Sequence, residues 1–187
     1  MMPRLTEQVH SALARVVRPG DVVVDATAGN GHDTLALAQL VGPTGRVFAF
    51  DIQLLALRRT AELLAPHGSL PVTLELRDHA EMPEVIPVSH HGQLAAVVFN
   101  LGYLPHGEKS IVTRPETTIV AIRAAAKLLR PGGLLSIMTY PGHPGGWEEE
   151  ETISTQLQQL EKEGWIIQEI ASEPGVRPGP KLWLVMK

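Results

Sequence analysis

The segment Val22-Val23-Val24-Asp25-Ala26-Thr27-Ala28-Gly29-Asn30-Gly31-His32-Asp33-Thr34 constrains the fold more than any other part of the chain. An apolar run ends in an acid, passes through a glycine-rich turn and enters a helix-like stretch. A parallel strand hands over to a helix in this way, with a nucleotide-sized ligand at the crossing. About twenty residues further on, the apolar run Val47-Phe48-Ala49-Phe50 ends in Asp51. An acid placed there accepts hydrogen bonds from both hydroxyls of a ribose. Together the two segments describe a nucleoside site at the carboxyl edge of a sheet.

The remaining pattern extends that sheet. Leu5, Val9, Ala12, Leu13 and Val16 recur at helical spacing and predict an opening amphipathic helix. Strands are expected at 22–26, 46–50, 72–76, 94–99, 134–138, 165–170 and 181–186, the third of them near an edge because it is short and polar. Helices are expected at about 32–40, along the face Leu54, Leu57, Ala61 and Leu64, along Ile119, Ile122, Ala126 and Leu129, and along Ile153, Leu157 and Leu160. Thr113-Arg114-Pro115-Glu116 reads as a capping box with proline in the first turn, and Arg130-Pro131-Gly132-Gly133 as the end of that helix. Pro83 and Pro87 argue against a long helix after the third strand. The last two strands have no helix between them, which favours an antiparallel pair. The expected class is α/β in a single domain: a Rossmann-like, mostly parallel seven-stranded sheet with an antiparallel last strand and helices on both faces, the layout of class I methyltransferases.

Composition narrows the possibilities. A chain of 187 residues, 44% hydrophobic and 19% charged, suits one globular domain. No apolar run is long enough to cross a bilayer, and the beginning Met1-Met2-Pro3-Arg4-Leu5 lacks the order of a signal peptide, so cytoplasm is the expected location. With no cysteine, disulfides and thiolate metal sites are excluded. His90-His91 has no partner at ligand spacing, and no metal is expected. The net charge of −4 gives no general argument for nucleic-acid binding. The acidic block Glu148 to Glu151 reads as the solvated first turn of a helix. Nothing sets the oligomeric state, and a homodimer is compatible with the sequence.

Four segments, taken together, resemble a known family. They are Asp25-Ala26-Thr27-Ala28-Gly29-Asn30-Gly31-His32-Asp33-Thr34, Phe50-Asp51-Ile52-Gln53, Phe99-Asn100-Leu101-Gly102-Tyr103-Leu104-Pro105 and Tyr140-Pro141-Gly142-His143-Pro144. They are similar to the rRNA methylase family, which includes bacterial tRNA methyltransferases acting on 5-aminomethyl-2-thiouridine at the wobble position. The resemblance runs from about Val22 to the end of the chain. It implies S-adenosylmethionine as cofactor and the anticodon loop of a tRNA as partner. His106, Glu108, Pro141 and Gly146 depart from the family pattern, with glycine and aspartate expected at the first two and histidine common at the third.

The resemblance and the residue chemistry then assign roles. Ala28, Gly29, Asn30, Gly31, His32 and Asp33 would pack on the methionyl and ribose parts, since the third glycine of a dinucleotide loop is replaced by Thr34 and no Walker pattern is present. Asp25 would meet the methionine ammonium, or only cap the turn. Asp51 would hold the ribose, or cap the next helix. Ile52 and Gln53 would flank the adenine, and Asp78 with His79 would lie near its amino group or form a surface turn.

Asn100 ends the fourth strand above this site. Its side-chain oxygen, with the carbonyl of Leu101, would accept hydrogen bonds from an amine and aim the nitrogen lone pair at the methyl. This segment resembles the Asn-Pro-Pro-Tyr loop of amino methyltransferases. Tyr103 would stack on a base, Tyr140 would line the substrate side, and His143 would orient the substrate or take its proton. Lys109, Arg114, Arg123, Lys127 and Arg130 are candidate phosphate contacts. The leading expectation is an RNA methyltransferase acting on the wobble aminomethyl group. The alternatives are a methyltransferase for a small amine or other metabolite and a non-catalytic nucleoside-binding module. A nicotinamide dehydrogenase is disfavoured by the glycine pattern.

Overall fold

The computed structural model describes residues 4–107, 111–142, 145–171 and 179–187. Seven strands form one sheet. In chain order the elements are α1 (Leu5–Val16), β1 (Val22–Asp25), α2 (His32–Val41), β2 (Arg46–Asp51), α3 (Leu54–Leu64), β3 (Val72–Leu76), α4 (Met82–Val85), β4 (Leu94–Leu101), α5 (Pro115–Leu128), β5 (Leu129–Thr139), α6 (Gly146–Lys162), β6 (Ile166–Ala171) and β7 (Lys181–Met186). The spatial order is β3-β2-β1-β4-β5-β7-β6. β1 through β5 pair in parallel, and β7 runs antiparallel to both its neighbours. β3 takes the edge, as its polarity predicts. None of the described helices is long and apolar enough to cross a membrane.

Alternation along the central strands builds two cores. Val23, Val47 and Val98 face α1 and α2, meeting Val9, Leu13, Leu37 and Val41. Val24, Phe48 and Val97 face the other way, onto Ile122, Ala125, Ile153 and Leu157 of α5 and α6. With both faces covered, the strands carry apolar residues throughout. The chain adds strands outward from β1 on one side through β2 and β3, then crosses over to β4 on the other, so the carboxyl ends of β1 and β4 open onto a crevice at this switch point.

Several boundaries differ from the sequence reading. β5 begins at Leu129, so Arg130 to Gly133 lie inside a long strand and do not form a helix stop; a register shift between Leu94 and Ala96 absorbs them. The expected capping box at the start of α5 does not form. Arg114 is the N-cap residue and makes no side-chain cap, while the Thr113 hydroxyl donates to Glu149 at 2.8 Å and accepts from the Gly102 amide. α3 buries Ala56, Leu57, Thr60 and Leu64, whereas Leu54 is exposed and Ala61 faces out. Its face is rotated because Thr60 must pack on the glycine loop.

The acidic block is not simply solvated. Glu149 and Glu150 are buried. Glu149 accepts from Thr113 and Thr118, and Glu150 pairs with Lys181. These contacts tie the start of α6 to α5 and β7, against residues a local reading cannot see.

A candidate cofactor and substrate crevice

The loop after β1 is shaped by backbone geometry. Gly31 adopts φ +87°, and a Cβ there would meet the Cα of Thr60 at 2.8 Å. Only glycine satisfies both the left-handed turn and the close approach of α3. Gly29 is also left-handed, at φ +55°. The Ala28 amide donates to the Phe50 carbonyl at 2.8 Å, which ties the loop to the end of β2. Asp51 completes the tie: its carboxylate accepts from the Gly29 amide at 3.0 Å and the Gln53 amide at 2.9 Å. Burial raises the Asp51 pKa, and these amides oppose the rise. An ionised carboxylate has about four acceptor sites, so Asp51 retains capacity toward the crevice. It does not cap α3, whose N-cap position is Gln53.

Of the two roles expected of Asp25, the structure favours the cap of the turn. Asp25 is fully buried, accepting from the Thr34 hydroxyl at 2.6 Å and the Thr27 amide at 3.2 Å. Alternation along β1 turns its side chain to the Val23 face, beneath the first turn of α2, so it supports the loop from below and does not line the crevice. Asp33 is the acid of this turn that reaches the crevice. Desolvation, reinforced by the Asp33 charge, pushes Asp25 up to about 7.

Because that folded-state value lies above the carboxylate's ordinary 3.8, the folded protein holds a proton that the unfolded chain has already lost between about pH 4 and about pH 7. The stability Asp25 contributes therefore falls as pH rises through that window, on the order of 4 kcal/mol in all. Asp25→Asn should flatten this slope. Denaturant melts at about pH 5 and about pH 8 should show the variant gaining on the parent protein at the higher pH. An unchanged difference between the two pH values would contradict the assignment.

Asn100 stands where the sequence places it, near the end of β4. Its amide N–H donates to the Thr27 hydroxyl at 2.7 Å, and its side-chain Nδ2 donates to Asp33 Oδ2 at 2.6 Å. An ionised carboxylate only accepts. Asp33 therefore claims the NH₂ end of Asn100 and leaves Oδ1 as the free acceptor. Leu101 lines the crevice through its backbone, with its side chain in the core.

Asp78 and His79 follow β3 and also line the crevice. Asp78 caps a short 3₁₀ turn by accepting from the Ala80 amide. His79 is buried, with Nδ1 at 3.2 Å from the Ala26 carbonyl and its ring edge-on to Phe99. Desolvation lowers its pKa, which favours the neutral ring with Nδ1–H donating.

The substrate side is a rim of mixed character. Tyr103 and Tyr140 are 43% and 40% exposed and line the crevice. Tyr103 forms a β-bridge with Val112. The Tyr140 hydroxyl donates to Met138 Sδ, and burial raises its pKa. Arg114 is exposed on the rim, as is Ile52 on the opposite side, beside the half-buried Gln53. Lys109 and His143 lie outside the described residues.

Three of the expected phosphate contacts are elsewhere. Arg123 donates to Gln156 of α6. Arg130 pairs bidentately with Asp21 before β1, at the opposite edge of the sheet. Lys127 ends α5, about 20 Å down the helix from Arg114. α5 runs away from the crevice, which the charge pattern alone cannot reveal.

Three residues with no local sequence signal also contribute. His10 and Thr6 of α1 line the crevice. Arg59 of α3 donates to Asn30 Oδ1, the Pro105 carbonyl at 2.9 Å and the His106 carbonyl at 3.1 Å, holding the segment after β4 against the glycine loop. His106 itself sits at φ +58°, a left-handed conformation that explains why glycine is expected there. Arg59→Ala removes three hydrogen bonds from this strap. It is expected to speed dissociation of a crevice ligand about tenfold with little change in melting temperature, measured by stopped-flow fluorescence.

The crevice encloses about 1300 Å³, beyond the roughly 300–1,000 Å³ of a site for one small molecule. That leaves room for an adenosine-bearing ligand and a second reacting group.

Known proteins share this architecture. The family model "Putative rRNA methylase" matches residues 47–185. A "putative rRNA-methylase" from Clostridium thermocellum, known from its crystal structure, is 40% identical and superposes with a TM-score of 0.93 over 100% of this chain and 99% of its own. A "putative methyltransferase" from Streptococcus mutans, solved in complex with SAH, is 31% identical with a TM-score of 0.89, covering 100% and 99%. A chloroplastic tRNA (mnm(5)s(2)U34)-methyltransferase from Arabidopsis thaliana is 42% identical over 172 residues, 87% of this chain. The chain spans 62% of that relative's length.

Proposed function

The chain belongs to the rRNA methylase family, and we propose that it is an S-adenosylmethionine-dependent RNA methyltransferase acting on the 5-aminomethyl group of the wobble uridine in tRNA. The observation that carries this reading is the orientation of Asn100. With its NH₂ end held by Asp33, its oxygen is left as acceptor for an N–H of the incoming amine. A hydrogen bond there turns the nitrogen lone pair toward the crevice.

The residues present suit the cofactor. Asp51 has acceptor capacity for two ribose hydroxyls, Gly29 and Gly31 permit close backbone approach, and Asp33 offers a carboxylate to a cationic group. When bound, S-adenosylmethionine supplies an electrophilic methyl on a sulfonium leaving group. The chain's own contribution is alignment, which accounts for most of the acceleration in such a transfer. An alkylamine is largely protonated at neutral pH, so the site must favour the neutral nitrogen. Leu104, buried against the glycine loop, excludes water there and disfavours the ammonium form. Tyr103 and Tyr140 present ring faces at the rim for an unstacked base. The name of the Arabidopsis relative supports this substrate, as does the SAH found in the Streptococcus mutans neighbour for the cofactor.

The test is nucleoside mass spectrometry of tRNA from cells lacking the protein, together with methyl transfer to that tRNA in vitro. Accumulation of the unmethylated aminomethyl nucleoside, and its conversion on adding protein and cofactor, is expected. Binding to tRNA should weaken steeply with salt. Normal tRNA in the deletion strain, with transfer only to a free amine, would assign the chain to small-molecule chemistry.

A further inference from the structure

We propose that His10 is a positioning residue of this site: through Asp33 it fixes the direction in which the Asn100 carbonyl oxygen faces the substrate nitrogen. The inference rests on the reading given under Proposed function. α1 otherwise serves as a cover for the sheet, with Val9 and Leu13 buried against β1, β4 and β5. His10 lies one residue beyond that buried face and reaches the crevice. Its Nε2 is 2.6 Å from Asp33 Oδ1, while Asn100 Nδ2 is 2.6 Å from Asp33 Oδ2. Each carboxylate oxygen thus has one short partner, from opposite sides.

This division gives His10 its role. A carboxylate held at one oxygen rotates about its terminal torsion, which has a broad, shallow preference. Held at both, it presents Oδ2 to Asn100 in one direction, and the amide of Asn100 is pinned with it. Electrostatics point the same way. Asp25 lies buried behind Asp33, whose charge adds to the desolvation that raises the Asp25 pKa. On the outer oxygen, the short bond to Asp33 raises the His10 pKa, which favours the form of the ring that donates to the carboxylate. Tyr140, across the crevice, also feels the Asp33 charge. Without His10, Asp33 Oδ1 loses its partner, the carboxylate is free to turn, and the Asn100 amide is no longer held in one direction.

His10→Ala should lower kcat about tenfold, with cofactor affinity and melting temperature near the parent's. His10→Gln places an amide nitrogen where Nε2 stood and should recover most of the loss. In an Asn100→Ala background, His10→Ala should cost nothing further, since the two act as one unit. A second readout needs no substrate: in nitrogen-15 spectra of the cofactor complex, the Asn100 side-chain amide should give one fixed pair of signals that moves on His10→Ala and returns with His10→Gln.

A kcat within twofold of the parent, a full additional loss in the Asn100→Ala background, or unmoved Asn100 signals would overturn the proposal. If the parent protein transfers no methyl to aminomethyl tRNA while the Asn100 signals respond to His10, the substrate reading fails and the coupling stands. If transfer proceeds and the signals do not respond, the reverse holds.

Discussion

Asn100→Ala is expected to lower kcat for methyl transfer by roughly 100-fold or more while leaving cofactor affinity within a few-fold of the parent's. The side chain reaches from the end of β4 into the crevice and is held by Asp33 at 2.6 Å, and the proposed function has its oxygen orient the nucleophile. Misplacing a reacting atom by about 1 Å costs on the order of 100-fold in rate. Removing the side chain proposed to orient the amine should do at least that. The Asn100 backbone amide, which donates to Thr27, survives the substitution, so the loop and the fold should persist. Asn100→Asp should be no better. Its carboxylate would face Asp33 at short range and would favour the unreactive ammonium form of the substrate. Steady-state rates, with calorimetry for the cofactor, separate these effects. A fall in cofactor affinity equal to the fall in kcat/KM would place Asn100 in the cofactor site instead.

The second large effect is on the cofactor. Asp51→Ala removes acceptors from the Gly29 and Gln53 amides, so the glycine loop loses its tie to β2 as well as its proposed ribose partner. A hydrogen bond to a charged group is worth about 1.5–3 kcal/mol. Loss of two toward the ligand should weaken binding by about 100-fold or more. Isothermal titration with S-adenosylmethionine or its demethylated product checks this, and Asp51→Asn, which keeps one acceptor oxygen, should fall between the two. Unaltered affinity in Asp51→Ala would mean that the ribose sits elsewhere.

What the sequence revealed follows a physical division. β1 and β2 lie within a residue of expectation because buried parallel strands read as short apolar runs between turn signals, and β3 and β7 because turn signals bound them closely. The glycine loop and Asp51 were legible because backbone approach restricts residue choice locally. Local sequence leaves Asp25 between the ammonium and the turn, because its direction depends on which face of β1 meets Thr34, a fact set by the packing of α2. Arg130 looked like a surface cation, yet its partner Asp21 is distant in sequence and joins it only through the β1–β4–β5 stack. Glu149 and Glu150 looked solvated for the same reason. His10 gave no signal beyond standing beside an apolar face. Its partner Asp33 lies across an interface between two helices, where no local periodicity reaches.

The account turns on the adenosine-bearing methyl donor lying across the carboxyl ends of β1, β2 and β4, with its sulfur facing Asn100. A crystal structure of the complex with S-adenosylhomocysteine tests this most directly. The ribose hydroxyls should be found on the Asp51 carboxylate, and the thioether sulfur on the Asn100 side of the crevice. Density for the ligand outside this crevice, or a ribose bound without Asp51, would contradict it.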